Sequence, residues 1–361
     1  MDSLARVIGI SLLTLVPGVF GGSATYASGL LGALERFGEL EYRVFVPRTA
    51  TPPTQTLPTK AVTAYPATDS MPGRLAAMTR AAVAPRRIRR QLELESLSAI
   101  HFPLSVMLPR IAHPPAATTL HDVLHLAAPH FLSPAERAYR RLVYGWSLSA
   151  SRIVIVASEF ARQTLIERAG LDSARVRRIP LGVDTETFHP GNGRRERFVF
   201  YPADFYPHKN HKRLLQAFEL VRRGHPDLEL VMTGRGLPAA NTAGVTVRGR
   251  VPTAELAELY RSASALVFPS LHESFGLPPL EAMASGCPVA TSSVGALPEV
   301  CGDAARYFDP ESVEDIATVI AEVVEKPDGL AEAGLKRIEH FTWKRCATLH
   351  EEVYRELSAT G

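Results

Sequence analysis

The sequence predicts an α/β protein built from two doubly wound parallel sheets, and three observations carry that prediction. Short, fully apolar runs alternate with segments of helical period, as expected of buried parallel strands covered by crossover helices. A polar stretch, Gly191–Arg197, interrupts the alternation, which then restarts. At 361 residues the chain is also too long for one ordinary core and suits two.

Composition narrows the class. Charged residues make up 21% and hydrophobic ones 46%, the balance of a globular chain. A net charge of +3 gives no reason to expect nucleic acid as a partner. The three cysteines, Cys287, Cys301 and Cys346, are odd in number and lack metal-ligand spacing. They point to a reducing compartment and read as small buried residues. Val7–Val19 is apolar enough to suggest a signal peptide. Asp2 beside Arg6, and passage into Pro17 and Gly21-Gly22 without a small-residue cleavage site, favour a first buried strand instead. No segment reaches eighteen uninterrupted apolar residues, so no transmembrane helix is expected. No solenoid repeat or long low-complexity tract is present.

In order, Val7–Leu13 reads as the first strand, and Gly21-Gly22-Ser23 opens a helix that runs to about Phe37, with Ser23 as its cap. Gly21 and Gly22 would let backbone approach a phosphate or an acceptor, or would simply form a strand-to-helix turn. Tyr42–Val46 is a second strand, and the Pro/Thr-rich stretch Pro47–Pro72 reads as an exposed, mobile loop. Gly73–Gln91 carries Arg74, Arg80, Arg86, Arg87, Arg89 and Arg90, with no acidic residue before Glu93. Leu75, Met78 and Ala82 share one helical face there, and Pro85 breaks the helix in two. Arg74–Arg90 would be a solvated basic surface, or would meet anionic lipid headgroups or an anionic acceptor. Ala117–Leu120 is a strand leading into His121-Asp122-Val123, and Ile153–Ala157 another, followed by a helix capped by Ser158. Ile179-Pro180-Leu181-Gly182-Val183-Asp184 closes the first half.

The second half runs through a strand at Phe198–Tyr201, a helix at His211–Arg223, a strand at Leu228–Thr233, a helix at Thr253–Ser262 and a strand at Ala265–Phe268. Its chemistry gathers in His272–Val289, HESFGLPPLEAMASGCPV. A helix beginning near Pro278 would leave the amides of Ser274, Phe275, Gly276 and Leu277 at its mouth, a site for a diphosphate. Glu273 before the turn and Glu281, expected in the first helical turn, could each accept bonds from vicinal hydroxyls. Alternatively Glu273 is a solvated loop residue and Glu281 complements the helix dipole. Pro207-His208-Lys209-Asn210 offers Lys209 as a point charge suited to a diphosphate. Arg235, in Thr233-Gly234-Arg235-Gly236, reads as an exposed loop arginine.

Glu273 and Glu281, with seven residues between them, resemble the E-x7-E signature of the family-four retaining glycosyltransferases of GT-B fold. The strings PHKN, IPLGVD and the His-Asp dipeptide at a strand tip extend the resemblance over nearly the whole chain. It is strongest from Ile179 to Pro310 and weakest between Pro47 and His113. The resemblance implies two Rossmann-like domains facing across a cleft, an acceptor-side domain at 1–183 and a nucleotide-sugar domain at 184–341. It also implies a last helix at 342–361, capped by Thr342, that crosses back to the first domain. By the same resemblance His121, Lys209 and Glu273 would serve catalysis. Gly21, Gly22, Arg235, Arg250, Ser274, Phe275, Gly276, Leu277 and Glu281 would hold the donor, Glu281 through the ribose. Relatives place an arginine about five or six residues before the lysine, where this chain has Ala203 and Asp204, so Arg235 is the candidate substitute. Glu299 would reach the donor or serve only its helix end.

What the resemblance implies is a retaining hexosyltransferase whose co-substrate is a nucleoside diphosphate sugar, with no cofactor and no bound metal. The FGLPPLEAMASGCPV and PHKN strings look like those of polysaccharide mannosyltransferases, which makes GDP-mannose the first expected donor and UDP-glucose the next. The acceptor would be a saccharide or lipid-linked saccharide, and the setting cytoplasmic, with peripheral contact at the inner membrane face. The alternatives are a nucleotide-sugar hydrolase or epimerase, a non-catalytic donor- or glycan-binding partner, and a lipid-surface module.

Overall fold

The structure is a computed structural model describing residues 7–16, 21–65, 71–83, 85–238 and 242–360. Asp2, Arg6, Pro17 and the end of the 7–19 run lie outside the described residues, as does part of the 47–72 stretch. The side chains of Arg74, Leu75, Arg80 and Ala82 are outside them too. The chain forms two compact units, Met1–Gly182 with Trp343–Gly361, and Val183–Thr342.

The first unit holds β1 (Val7–Ser11), α1 (Gly22–Phe37), β2 (Glu41–Pro47), β3 (Thr59–Val62), α2 (Met71–Val83), α3 (Pro85–Gln91), β4 (Ala99–Phe102), β5 (Ala116–Thr119), α4 (Leu124–Ala127), α5 (Pro134–Ala150), β6 (Ile153–Val156), α6 (Glu159–Ala169) and β7 (Val176–Arg178). Its sheet is parallel throughout, in the order β3-β2-β1-β4-β5-β6-β7. Ile8, Ile10, Phe45, Ile100, Val154 and Val156 are inaccessible to water, which is why these strands read as unbroken apolar runs rather than alternating ones.

The second unit repeats the plan with β8 (Glu196–Pro202), α7 (His211–Gly224), β9 (Glu229–Thr233), β10 (Val245–Val247), α8 (Thr253–Ser262), β11 (Ala263–Phe268), α9 (Leu277–Ala284), β12 (Val289–Ser292), α10 (Leu297–Cys301), β13 (Arg306–Phe308), α11 (Val313–Glu325) and α12 (Leu330–Ile338). The order β10-β9-β8-β11-β12-β13, again all parallel, is that of a dinucleotide-binding half-sheet pair. Strand order reverses direction between β8 and β11, so the loops leaving these two strands flank the crevice where such sheets bind ligands. Those loops carry Lys209 and Glu273.

The last helix, α13 (Trp343–Ala359), packs in the first unit. Trp343 can seat there because Gly29 and Gly182 have no side chain: a Cβ on Gly29 would fall 2.1 Å from the indole, and one on Gly182 2.3 Å from the Trp343 amide nitrogen.

Several local expectations are corrected. Ser23 lies inside α1; the capping position is Gly21, whose carbonyl accepts from Ala24 N at 2.9 Å and Thr25 N at 3.1 Å. The 47–72 stretch is not all loop. It contains β3, paired with β2, and the turn before β3 is organised by the Glu35 carboxylate, which accepts from the amides of Gln55, Thr56 and Leu57. Burial works against the charge, but a bond from the Thr54 hydroxyl together with these amides draws the carboxyl down to about 2. The polar stretch Gly191–Arg197 is pinned as well. Arg195 donates to the carbonyls of Tyr260, Arg261, Ala263 and Gly286, tying the start of β8 to α8, β11 and the end of α9. Pro85 does separate two helices, and Ser158 does cap α6, accepting from Ala161 N at 3.1 Å.

Candidate active site

The second unit brings Lys209 and Glu273 into direct contact. Lys209 ends a short 3-10 turn, Pro207–Lys209, and its Nζ lies 2.6 Å from Glu273 Oε1 and over the Phe268 ring at 5.1 Å. Asn210 adopts a left-handed conformation between this turn and α7, and its amide donates to the carbonyls of Pro269 at 3.1 Å and Pro310 at 2.8 Å. Tyr201 donates to Lys209 O, and Leu271 N to His208 O at 2.7 Å. The lysine loop and the glutamate loop are therefore stitched together by the Leu271–His208 backbone bond and the Asn210 side chain, and their charged side chains meet beside these bonds.

Glu273 is held from its other side. Ala296 N donates to Glu273 O at 3.0 Å, a contact possible only because residue 295 is glycine. At φ 61° a Cβ on Gly295 would stand 2.4 Å from that carbonyl oxygen. Beyond Glu273 the chain enters α9 through Gly276 at φ 112°, with the Ser274 and Phe275 side chains buried. Pro278 and Pro279 have no N–H, so the amides at the mouth are those of Phe275, Gly276 and Leu277.

Glu281 sits one residue deeper than expected: α9 begins at Leu277, one position before Pro278, which puts the glutamate just past the first turn. Its Oε2 accepts from the hydroxyl of fully buried Tyr260 at 2.9 Å. Enclosure by protein pushes its carboxyl up to about 7, the nearby Asp184 charge adds to this, and the Tyr260 bond opposes it. A carboxylate poised at this point accepts hydroxyl donors when ionised.

Arg235 is not a solitary loop arginine. Its side chain donates to Asp204 Oδ2 from Nε at 2.9 Å and from a terminal nitrogen at 2.6 Å, while its amide donates to Asp204 Oδ1 at 2.8 Å. A guanidinium from the loop after β9 is thereby fixed to the loop after β8, where an arginine is missing. Arg250 lies in the loop after β10, close enough for its charge to help hold the Asp204 carboxyl below its ordinary range. Glu299 stands within α10, where the carbonyls of Glu299 and Val300 accept from Arg337.

In the first unit, His121 follows β5. Its Nε2 donates to Pro103 O at 2.6 Å, which leaves Nδ1 as the acceptor of a neutral ring. Burial pulls its pKa down to about 4, against the pull of the Pro103 carbonyl and Asp122. The Tyr26 ring packs edge-on at 4.7 Å. Asp122 shapes the entry to α4: one oxygen accepts from Leu124 N at 2.7 Å and the other pairs with Arg140. Gly21 has extended backbone, and a Cβ there would meet nothing within 4 Å. The fold itself does not require glycine at that position.

Sequence alone gives no role to Tyr260, Asn210 or Gly295, and names Asp204 only as standing where relatives have an arginine. Asn210 was legible as a polar residue between a Pro-led turn and a helix. Tyr260 was not, since helical period places it inward but does not say what its hydroxyl meets. Among the described residues, no cluster of three or more histidine, cysteine or carboxylate side chains could hold a metal ion.

Two all-parallel sheets of this order, with Lys209 and Glu273 on the loops at the switch point of the second, make up the GT-B fold. The sequence model for glycosyltransferase family 4 matches residues 20–187, and that for glycosyl transferases group 1 matches 184–337. The two halves follow one another without a gap, and the chain belongs to this glycosyltransferase family. It is 29% identical over 272 residues to O-antigen chain mannosyltransferase B of Escherichia coli, spanning 67% of this chain and 70% of that one. It is 35% identical over 199 residues to the MMP alpha-(1->4)-mannosyltransferase of Mycolicibacterium hassiacum, which spans 50% of this chain and 48% of that one. Among solved structures, sucrose-phosphate synthase from Thermosynechococcus elongatus superposes with a TM-score of 0.76 at 20% identity, covering 99% of this chain and 100% of the other. Anabaena HepE, solved in complex with UDP-glucose, gives 0.71 at 16% identity, covering 97% and 99%.

Proposed function

We propose that this glycosyltransferase moves a hexose, mannose first among candidates, from a nucleoside diphosphate sugar to a hydroxyl of a saccharide or lipid-linked saccharide, with retention of anomeric configuration. The observation that carries the reading is the Lys209–Glu273 contact beside the α9 mouth, with Glu281 one turn further on. Lys209 and the amides of Phe275, Gly276 and Leu277 receive the diphosphate as the glycosyl bond breaks, Glu273 accepts from sugar hydroxyls, and Glu281 accepts from the ribose. Ser274, whose side chain is buried, supports the turn rather than reaching the donor. Arg235 and Arg250 add positive charge on the β9 and β10 side. Neutral His121 offers an acceptor nitrogen, which suits a sugar hydroxyl better than a phosphate. Glycine at 21 and 22 lets the α1 entrance approach a ligand closely. The departing phosphate assists deprotonation of the acceptor, and positioning and fixed charge supply the rate rather than a protein nucleophile. Preference for mannose follows the two mannosyltransferase relatives, and GDP-mannose is the first donor to try. The reaction takes the nucleotide sugar as co-substrate and uses no cofactor or metal.

Contact with an anionic membrane fits α3, where Arg86, Arg87 and Arg90 are exposed around buried Ile88, and Val83 just before it is 79% exposed. No helix among the described residues is long and apolar enough to cross a bilayer. Reversing Arg86, Arg87 and Arg90 to glutamate should abolish co-sedimentation with phosphatidylglycerol vesicles and leave donor binding intact.

The deciding experiment is a thermal-shift screen with GDP-mannose, UDP-glucose, UDP-N-acetylglucosamine and ADP-glucose, since a ligand that binds only the folded state raises its melting temperature. The donor that binds is then supplied with saccharide acceptors, with and without EDTA, and the product anomer is read by NMR. Failure of every donor to bind would overturn the donor site. An inverted product would overturn the mechanism, and loss of transfer in EDTA the metal-free reading.

A further inference from the structure

We infer that Tyr260 is a positioning residue for ribose recognition: its hydroxyl occupies one oxygen of Glu281 and so fixes the carboxylate with the other oxygen free for vicinal hydroxyls of the nucleotide. This rests on the donor reading of Glu281 given above. Tyr260 is on α8 and Glu281 on α9, so the hydrogen bond of 2.9 Å joins two helices that leave different strands. Tyr260 itself cannot move to suit a ligand. It is fully buried, with Phe200 edge-on at 5.1 Å and Phe188 edge-on at 5.7 Å, and its carbonyl accepts from Arg195. Its hydroxyl has no role in that apolar surround other than to meet Glu281. A rigid donor on one carboxylate oxygen restricts rotation of the group and selects which lone pairs face outward.

The same bond governs charge. The groups facing Glu281 are the Tyr260 hydroxyl and the Asp184 carboxylate; behind Tyr260 lie Cys287, a buried thiol, and Arg195, whose charge acts on that thiol. Burial and Asp184 both favour the protonated carboxyl, and Tyr260 alone among these favours the carboxylate. A protonated Glu281 presents an O–H where a ribose hydroxyl needs an acceptor, so ribose recognition weakens as pH falls through about 7. Without the Tyr260 hydroxyl the titration moves upward and the loss sets in at higher pH.

The test uses the full chain and whichever of GDP, UDP or ADP binds it most tightly, with the matching 2′-deoxy nucleotide, titrated by calorimetry from pH 5.5 to 8.5. The ratio of ribo to deoxy affinity isolates the ribose contact from titration of the phosphates. In the wild type that ratio should fall towards one below pH 7. Tyr260→Phe keeps the ring and removes the hydroxyl; it should lower the ratio about fivefold to tenfold at pH 7.5 and move the midpoint of its pH dependence upward. Glu281→Gln should give a small ratio that is flat with pH. If Tyr260→Phe weakens ribo and deoxy nucleotides equally, or leaves both unchanged, the positioning role is wrong. Should that variant not fold, a wild-type ratio that is flat across the range overturns the proposal equally. If no nucleotide binds at all, the donor reading fails first, and the two failures are thereby distinguished.

Discussion

Lys209 Nζ lies 2.6 Å from Glu273 Oε1 across 64 residues of sequence, and only 17% and 14% of the two side chains remain exposed. A contact this well shielded ties catalysis to stability, because either charge alone would be left half-desolvated. Lys209→Ala and Glu273→Ala should each cost about 2 kcal/mol in urea unfolding, with the double variant losing less than their sum. Sugar transfer should fall at least about a hundredfold in each single variant, since each removes a group that stabilises charge at the reacting centre. Additive stability losses would show that the pair is not coupled.

Gly295 makes a separate prediction about the same carboxylate. A methyl at this position would meet Glu273 O at 2.4 Å in a backbone conformation that side chains rarely adopt. Gly295→Ala must therefore push the 293–297 turn away and break the Ala296 N bond to Glu273. We expect about 1–3 kcal/mol of destabilisation. Transfer activity at a temperature where the variant is fully folded should drop by more than tenfold, and equal activity would show that Glu273 does not depend on this clasp.

The first unit should be acid-sensitive. His101 bonds Tyr354 and Thr119, His350 bonds Tyr26, and His121 bonds Pro103 O, all as neutral rings in buried surroundings. Burial holds His350 and His121 at about 4 and His101 well below its ordinary value. Their folded-state pKa values lie below the unfolded value near 6.5, so the unfolded chain binds the extra protons. Stability is then full above about pH 6.5 and is lost as pH falls from there towards 4, by up to about 1.4 kcal/mol per pH unit for each histidine. Denaturant midpoints between pH 7.5 and 4.5 check the sign. His350→Gln should flatten the slope, although it also disturbs the contact between α13 and Tyr26.

Much of this architecture was legible before any coordinates, because a strand buried on both faces must be apolar at every position, and such runs cannot be mistaken for loops. The α9 mouth was legible for a related reason: Gly276 followed by Pro278 and Pro279 is a helix-start signal that needs no partner to be read. What stayed hidden depends on contacts between distant residues. Nothing near Pro47–Pro72 announces β3, which is held by pairing with β2 and by a carboxylate from α1. The Arg195 clasp looked like one more charge in a polar run, and Tyr260 like one more apolar position on a helix. Glu281 falls just past the first turn because α9 begins at Leu277, one residue before Pro278, and the spacing of the two glutamates does not state where the helix starts.

The Asp204–Arg235 pair yields the sharpest question about the missing arginine. Burial works against the Asp204 charge, but the bonds from Arg235 outweigh it and leave the carboxyl below its ordinary range, so the two are fully ionised near neutrality. An exposed pair of this kind contributes little to folding. Arg235→Ala should therefore barely change the melting temperature. If the guanidinium stands in for the absent arginine, the same substitution should weaken nucleoside diphosphate binding about tenfold and make that binding less sensitive to salt. Asp204→Asn, which removes a negative charge while keeping a hydrogen-bond partner, should hold affinity within about threefold of wild type. Unaltered affinity and salt dependence in Arg235→Ala would mean that the pair only joins the loops after β8 and β9, and that Lys209 meets the diphosphate without an arginine beside it.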